Sequence, residues 1–168
     1  MFSNIAHAIK IALDLNISKK VIEKTIPNLA FPGRYDYLKK GNIKKMLHKN
    51  EMIMLDGAHA PADALNLYKY LKTIKLPVYG VWAMSKSKEP DEFIKNLKGV
   101  FKKIVTIPIK DENSVSAKEL NKIANNNKIK SETAKDFKDA LKKISSSEKK
   151  LIMCFGSLYF SGLILNKN

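Results

Sequence analysis

Four short apolar runs, at 51–55, 78–83, 103–109 and 151–155, alternate with stretches whose apolar residues recur at helical spacing. Neighbouring parallel strands need a crossover between them, and a helix is the usual crossover. The alternation therefore predicts an α/β fold: a mostly parallel sheet flanked by helices, with right-handed connections. Residues 61–72 place Ala64, Leu67 and Leu71 on one face, and Pro90 suits the first turn of a helix carrying Phe93, Leu97 and Val100. Asp91 and Glu92 complement the amino end of that helix. Ser116 caps a helix through Leu120 and Ile123, residues 128–132 form a short strand, and Phe137, Leu141 and Ile144 mark a helix before the last strand. A final helix follows Ser157.

The chain opens differently. Ser3 or Asn4 is placed to cap a helix with Ile5, Ile9, Ala12 and Leu13 on one face, ending near Asn16. Ser18 then caps a second helix with Val21, Ile22 and Ile26 inward. Pro27 stops the pair and Pro32-Gly33 marks a turn, so a boundary is expected there: 1–31 a helical segment with its linker, 32–168 the α/β domain.

At 168 residues there is room for one core, since a domain of this size buries roughly 70% of the surface its unfolded chain exposes. The 45% apolar and 28% charged content are those of a soluble globular protein. A formal net charge of +15 raises the question of nucleic acid, yet lysines are spread from Lys10 to Lys167 and no aromatic platform alternates with them. The charge reads as a solvated surface, and no nucleic-acid partner is expected. Cys154 is the only cysteine, which excludes an internal disulfide or thiolate metal cluster and fits a reducing, cytoplasmic setting. Lys10 and Asp14 interrupt any leader-like opening, and the uncharged run 151–165 spans 15 residues where a membrane-spanning helix needs roughly 20. No membrane association is expected.

Among 31 cationic residues Arg34 is the sole arginine. Its planar donor fork suits a phosphate or carboxylate in a way that an ammonium cannot copy. Either Arg34 marks a place where lysine will not do, or it serves a structural salt bridge.

Ligands of open α/β sheets bind beyond the carboxyl ends of the strands, where connections diverge to opposite faces. Three loops are furnished for this. Asp56-Gly57-Ala58-His59-Ala60-Pro61 offers a carboxylate for ribose hydroxyls, an ammonium or a hydrated metal, a glycine for close approach, and an imidazole; alternatively Asp56 caps the helix and His59 braces the loop. Met84-Ser85-Lys86-Ser87-Lys88-Glu89-Pro90 sets two lysines, Lys86 and Lys88, and hydroxyls including that of Ser87 before a helix, an arrangement suited to an anion. Gly156-Ser157 turns the last strand into the last helix. Missing are the Gly-x-x-x-x-Gly-Lys-Ser/Thr phosphate loop, the Gly-x-Gly-x-x-Gly fingerprint, any zinc-spaced Cys/His set and the Gly-x-Ser-x-Gly elbow. No metal site is expected.

Taken together, Pro32-Gly33-Arg34 and Leu55-Asp56-Gly57-Ala58-His59-Ala60-Pro61 resemble the Pro-Gly-Arg and Leu-Asp-Gly-Ala-His-Asn-Pro pair of folylpolyglutamate and dihydrofolate synthases. Residues 83–90 resemble that family's Gly-Met-x-x-x-Lys-Asp loop, Glu112-Asn113-Ser114 its Glu-Asn-Ala/Ser loop, and Gly156-Ser157-Leu158-Tyr159 its terminal Gly-Ser-Leu-Tyr. The order is kept from Arg34 to the end, and residues 1–26 resemble the last helices of the family's amino-terminal ATPase domain. Two positions depart: Ala60 stands where the family has Asn, and Glu89 where it has Asp.

The resemblance implies a Rossmann-like domain of the Mur ligase carboxyl-terminal kind, preceded by a short helical remnant. It also implies an ATP-dependent ligase activity that joins L-glutamate to a folate or dihydropteroate carboxylate through an acyl phosphate. By resemblance Arg34 and Asp56 belong to the ATP and phosphate side and His59 and Ser157 to the glutamate side, with Lys86, Ser87 and Lys88 as further candidates. The family's phosphate loop and Mg2+ ligands lie in its ATPase domain. ATP and Mg2+ are therefore expected only in a complete two-domain enzyme, with no cofactor bound by this chain alone. A split or truncated gene is the expected origin, a separately made ATPase domain the expected partner, and ligation by this chain alone is not expected. Two other readings stand beside this one: a non-catalytic remnant, and a basic polyanion-binding module.

Overall fold

The computed structural model describes residues 2–109 and 113–168, so Glu112 of the Glu-Asn-Ser motif lies outside the described residues. The chain divides into two compact units, residues 1–31 and 32–168.

The first unit contains α1 (Phe2–Asp14) and α2 (Lys19–Thr25), followed by a 3-10 turn at Ile26–Asn28. Ser18 caps α2 through its hydroxyl, which accepts from the Val21 amide. Helix α1 already includes positions 3 and 4 and so begins ahead of both expected caps. Val21, expected to point inward, is 53% exposed, and Leu13 is exposed as well. Two helices of this length have too little facing surface to bury a core between them.

The second unit is built on a six-stranded sheet in the order β1-β2-β6-β3-β4-β5, comprising β1 (Asp36–Tyr37), β2 (Glu51–Asp56), β3 (Val78–Trp82), β4 (Lys103–Thr106), β5 (Ser131–Thr133) and β6 (Lys150–Phe155). Every pairing is parallel except that of β1 with β2. Strand β4 is shorter than the apolar run 103–109, and β5 begins three residues later than predicted. Beyond Thr106 the backbone turns to other partners: Ile107 N–H donates to Trp82 and Ile109 N–H to the Ser114 hydroxyl.

The helices are α3 (Asn42–Lys45), α4 (Pro61–Lys72), α5 (Pro90–Lys95), α6 (Ala117–Asn126), α7 (Phe137–Ile144) and α8 (Leu158–Leu165). Alternate residues of β6 separate two cores. Leu151, Met153 and Phe155 join Leu67 of α4, Phe93 of α5 and Leu120 of α6 on one face. Ile152 and Cys154 join Leu141 of α7 and Phe160 of α8 on the other. The sheet is thus covered on both sides, as its apolar strands require. No helix of the described residues is long and apolar enough to cross a membrane.

At the amino ends of β2 and β6 a buried ion pair fixes the register. Glu51 and Lys150, directly opposite in the ladder, are 0% and 1% exposed, with Lys150 Nζ 3.6 Å from Glu51 Oε1. Lys150 also donates to the Ile144 carbonyl at 2.8 Å and lies 4.8 Å above the Tyr79 ring. Burial alone would push the Glu51 carboxyl up, but it accepts from the Ser146 and His48 amides and the Ser145 hydroxyl, and Lys150 adds its charge. The net direction is downward from 4.5.

Removing one member strands the other charge in the core. Glu51→Ala is expected to cost about 3–5 kcal/mol of unfolding free energy, whereas Glu51→Leu combined with Lys150→Met costs far less; urea unfolding midpoints check both. Because the Glu51 pKa is lowered by folding, its contribution is complete above 4.5 and disappears as pH falls through the folded value. Wild type should therefore lose stability in that acid range more steeply than the double variant.

Candidate functional site

Strand order places a divergence at β6. The loops after β2 and β3 lead to α4 and α5 on one face, while the loop after β6 leads to α8 on the other. A crevice is expected where neighbouring connections part in this way. A cleft of about 190 Å³ lies there, lined by His59 from the first loop, Ser85 and Lys88 from the second, and Gly156, Ser157, Leu158 and Tyr159 from the third.

Three glycines let the loops meet. A Cβ on Gly57 would fall 2.8 Å from Leu158, and one on Gly33 would fall 2.9 Å from the Ser161 side chain. Gly57 N–H donates to the Gly33 carbonyl at 2.8 Å, which joins the Pro-Gly-Arg turn to the loop after β2. Gly156 has a φ of +104°, and a Cβ there would lie 2.5 Å from the Ala83 carbonyl oxygen and 2.8 Å from the Trp82 indole nitrogen. Only glycine suits that position.

Arg34 and Asp56 form a second cluster beside the loop. Arg34 Nη1 lies 3.6 Å from Asp56 Oδ1. Asp56 Oδ1 accepts from Ala58 N–H at 2.7 Å and Oδ2 from Tyr35 N–H at 3.0 Å. Burial pushes the Asp56 carboxyl up; the Tyr35 and Ala58 amides and the Arg34 charge oppose this, yet the net direction stays upward from 3.8. A carboxylate held against such a cost is typical of functional clefts.

His59 Nδ1 lies 2.7 Å from the Gly57 carbonyl oxygen, which fixes the ring. Ser157 caps α8, its hydroxyl accepting from the Phe160 amide at 3.3 Å. The structure thus brings His59, Lys88 and Ser157 to one cleft and pairs Arg34 with Asp56. Lys86 and Ser87 are exposed and do not line the cleft. Instead the Lys86 amide donates to the Asn113 carbonyl and Val115 N–H to the Met84 carbonyl, so the third and fourth motifs meet through their backbones.

Sequence reasoning placed the Ser85 hydroxyl in the second loop without singling it out, and it missed two carboxylates that shape the loops. Asp63 accepts from the His59 and Ala60 amides, both at 3.3 Å, and Asp36 from the Gly33 amide at 3.0 Å. An acidic residue three positions after the N-cap of α4 is a readable sign of the first; nothing local marks the second. A larger concavity of about 400 Å³ lies between the loops after β4 and β5, but none of the predicted site residues lines it.

These features define a Rossmann-like α/β domain with a small cleft at its switch point. A family profile described as "Dihydrofolate synthetase, C-terminal domain" matches residues 39–167. The chain therefore belongs to this family of dihydrofolate synthetase carboxyl-terminal domains. No curated protein matches the sequence. Among solved structures, Escherichia coli FolC in complex with DHPP and ADP is similar with a TM-score of 0.73 at 17% identity, over 89% of this chain and 34% of that one. A bifunctional folylpolyglutamate synthase/dihydrofolate synthase with Mn, AMPPNP and L-glutamate bound gives 0.73 at 18%, over 89% and 34%. Folylpolyglutamate synthase from Thermotoga maritima gives 0.67 at 24%, over 89% and 33%. At these identities the likeness is one of fold, and this chain spans about a third of those chains.

Two substitutions test the geometry. Gly156→Ala is expected to destabilise by about 1–3 kcal/mol through its backbone conformation alone, and to shift the emission of Trp82, the only tryptophan. Ser157→Ala, which removes the α8 cap, should cost about 1 kcal/mol; thermal unfolding measures both.

Proposed function

We propose that this chain is the glutamate-side half of a folylpolyglutamate or dihydrofolate synthase, acting with a separately supplied ATPase domain to join L-glutamate to a folate or dihydropteroate carboxylate. The observation that carries it is the meeting of His59, Lys88 and Ser157 at one cleft, with the Arg34–Asp56 pair on the adjoining loops. Similar structures support the substrates: one holds ADP with DHPP, another AMPPNP, Mn and L-glutamate.

The residues suit the division of labour that the motifs imply. The Arg34 guanidinium is partly exposed, with 36% of its side chain in solvent, and its donor fork suits a phosphate. ATP, when bound, supplies the phosphoryl group that activates the carboxylate as an acyl phosphate. Arg34 then meets negative charge with a cation already in place, so little reorganisation is needed as that charge develops. Lys88 and the amino end of α8 favour a carboxylate of the incoming amino acid, while His59 and Ser157 orient it so that its amine faces the activated carbonyl.

A second reading, a non-catalytic remnant, draws on Ala60. This residue is the N-cap of α4 and contributes no side-chain cap, where the resembling motif has an amide. Reconstitution separates the two. Mixed with a family ATPase domain, the chain is expected to give ATP- and glutamate-dependent ligation of dihydropteroate, and Arg34→Lys should lower the rate about 100-fold. A complex that forms at micromolar concentration yet makes no product would establish the remnant.

A further inference from the structure

We propose that a second ligand site lies between the carboxyl ends of β4 and β5, taking a small molecule that carries two or more phosphate or carboxylate groups. The site stands apart from the cleft beside β6 and does not rest on the ligase reading.

The connections of the sheet diverge here as well. Strand β4 leads to α6, whose Leu120 and Ala124 pack into the same core as α4 and α5. Its parallel neighbour β5 leads to α7, whose Leu141 and Ile144 pack into the core on the opposite face. Adjacent parallel strands whose connections part in this way leave a crevice beyond their carboxyl ends. The concavity found there holds about 400 Å³, a volume within the range of small-molecule sites.

Hydrogen bonds to the backbone hold its walls in place. Ala134 N–H donates to the Thr106 carbonyl at 2.9 Å, and the buried Thr106 hydroxyl donates to the Ala117 carbonyl at 2.8 Å. The start of α6 and the end of β5 are thereby both tied to β4. Ala117 and Ala134 line the concavity with side chains too small to fill it.

The charge around this space is unbalanced. Lys118, Lys135 and Lys143 line it with a single carboxylate, Asp139, whose Oδ2 already accepts from the Lys135 amide at 3.0 Å. Lys143 Nζ donates to the Thr133 carbonyl at 2.8 Å, which holds the ammonium at the opening and leaves two of its three N–H groups. Among the described residues none of these three lysines forms an ion pair with an acidic side chain. At the amino end of β4 the lysines are neutralised instead, Lys102 by Glu148 at 3.1 Å and Lys103 by Glu132 at 2.9 Å. Three unpaired ammonium groups around a preformed concavity attract an anion, and a ligand with several anionic groups engages more than one of them.

Metal-free ADP serves as the phosphate probe and citrate as the carboxylate probe. Each is titrated into the full chain while the Ala117 and Ala134 amide resonances are followed beside those of Gly156 and Ser157. At least one probe should shift the Ala117 and Ala134 amides with a dissociation constant of about 1 mM or below, and the probe that does so identifies the anionic group. Lys118→Gln, Lys135→Gln and Lys143→Gln together should weaken this binding about tenfold. Lys39→Gln, Lys40→Gln and Lys45→Gln remove the same charge beside β1, at the opposite edge of the sheet, and should change it by less than about twofold. Lys118→Glu, at an exposed position, should also weaken binding and stands in if the triple variant does not fold. Dissociation constants above about 1 mM for both probes at the Ala117 and Ala134 amides, or equal losses in the two triple variants, overturn the proposal. Shifts confined to Gly156 and Ser157 also overturn it, and they leave the reading of the first cleft in place.

Discussion

The architecture depends on β6 entering between β2 and β3. All six of its residues are buried, and it is paired in parallel on both edges. A strand so placed leaves no backbone group for water, and its side chains must feed both cores at once. The same placement creates the cleft, because the strand that divides the sheet sends its exit loop to the layer opposite that used by its neighbours. The site is therefore a property of strand order before it is a property of any residue.

The two ends of these strands use charge differently. At the amino ends Glu51 and Lys150 are closed off with hydrogen bonds to nearby backbone and hydroxyls, and nothing of their charge reaches solvent. At the carboxyl ends Phe155 stacks near Trp82, Phe93 and Phe101 and gives the loops a rigid apolar floor. Above that floor Asp56 accepts from the amides of Tyr35 and Ala58 on two different loops. The first end is closed on itself, whereas at the second the Arg34 side chain keeps 36% of its surface in solvent.

Much of this was legible in the sequence, for identifiable reasons. Strands β2, β3 and β6 announced themselves as apolar runs, and α2, α5, α6 and α8 through Ser18, Pro90, Ser116 and Ser157 at their starts. Short elements held by distant partners did not. Two-residue β1 exists because Asp36 and Tyr37 pair with Leu55 and Met54, and α3 begins where Asn168 accepts from the Asn42 and Ile43 amides. The site divides in the same way. Motif spacing pointed to Arg34, Asp56, His59 and Ser157, but it ranked Lys86 and Ser87 with Lys88, and only the path of the loop separates them. That Asp56 bonds Tyr35, and that Gly156 presses on Trp82, are facts of tertiary contact with no local trace.

The pairing of β2 with β6 also has a kinetic consequence. Glu51 meets Lys150 and Asp56 meets Phe155 across about a hundred residues of chain, a separation of the kind that slows folding because loop entropy is lost before the contacts repay it. The β3–β4–β5 half, whose neighbours are closer in sequence, can assemble sooner. Contact order alone predicts that the central strand is added late and brings Gly156 and Ser157 with it. A form lacking β6 would expose the edges of β2 and β3, and the cleft would come into being only when those edges are paired.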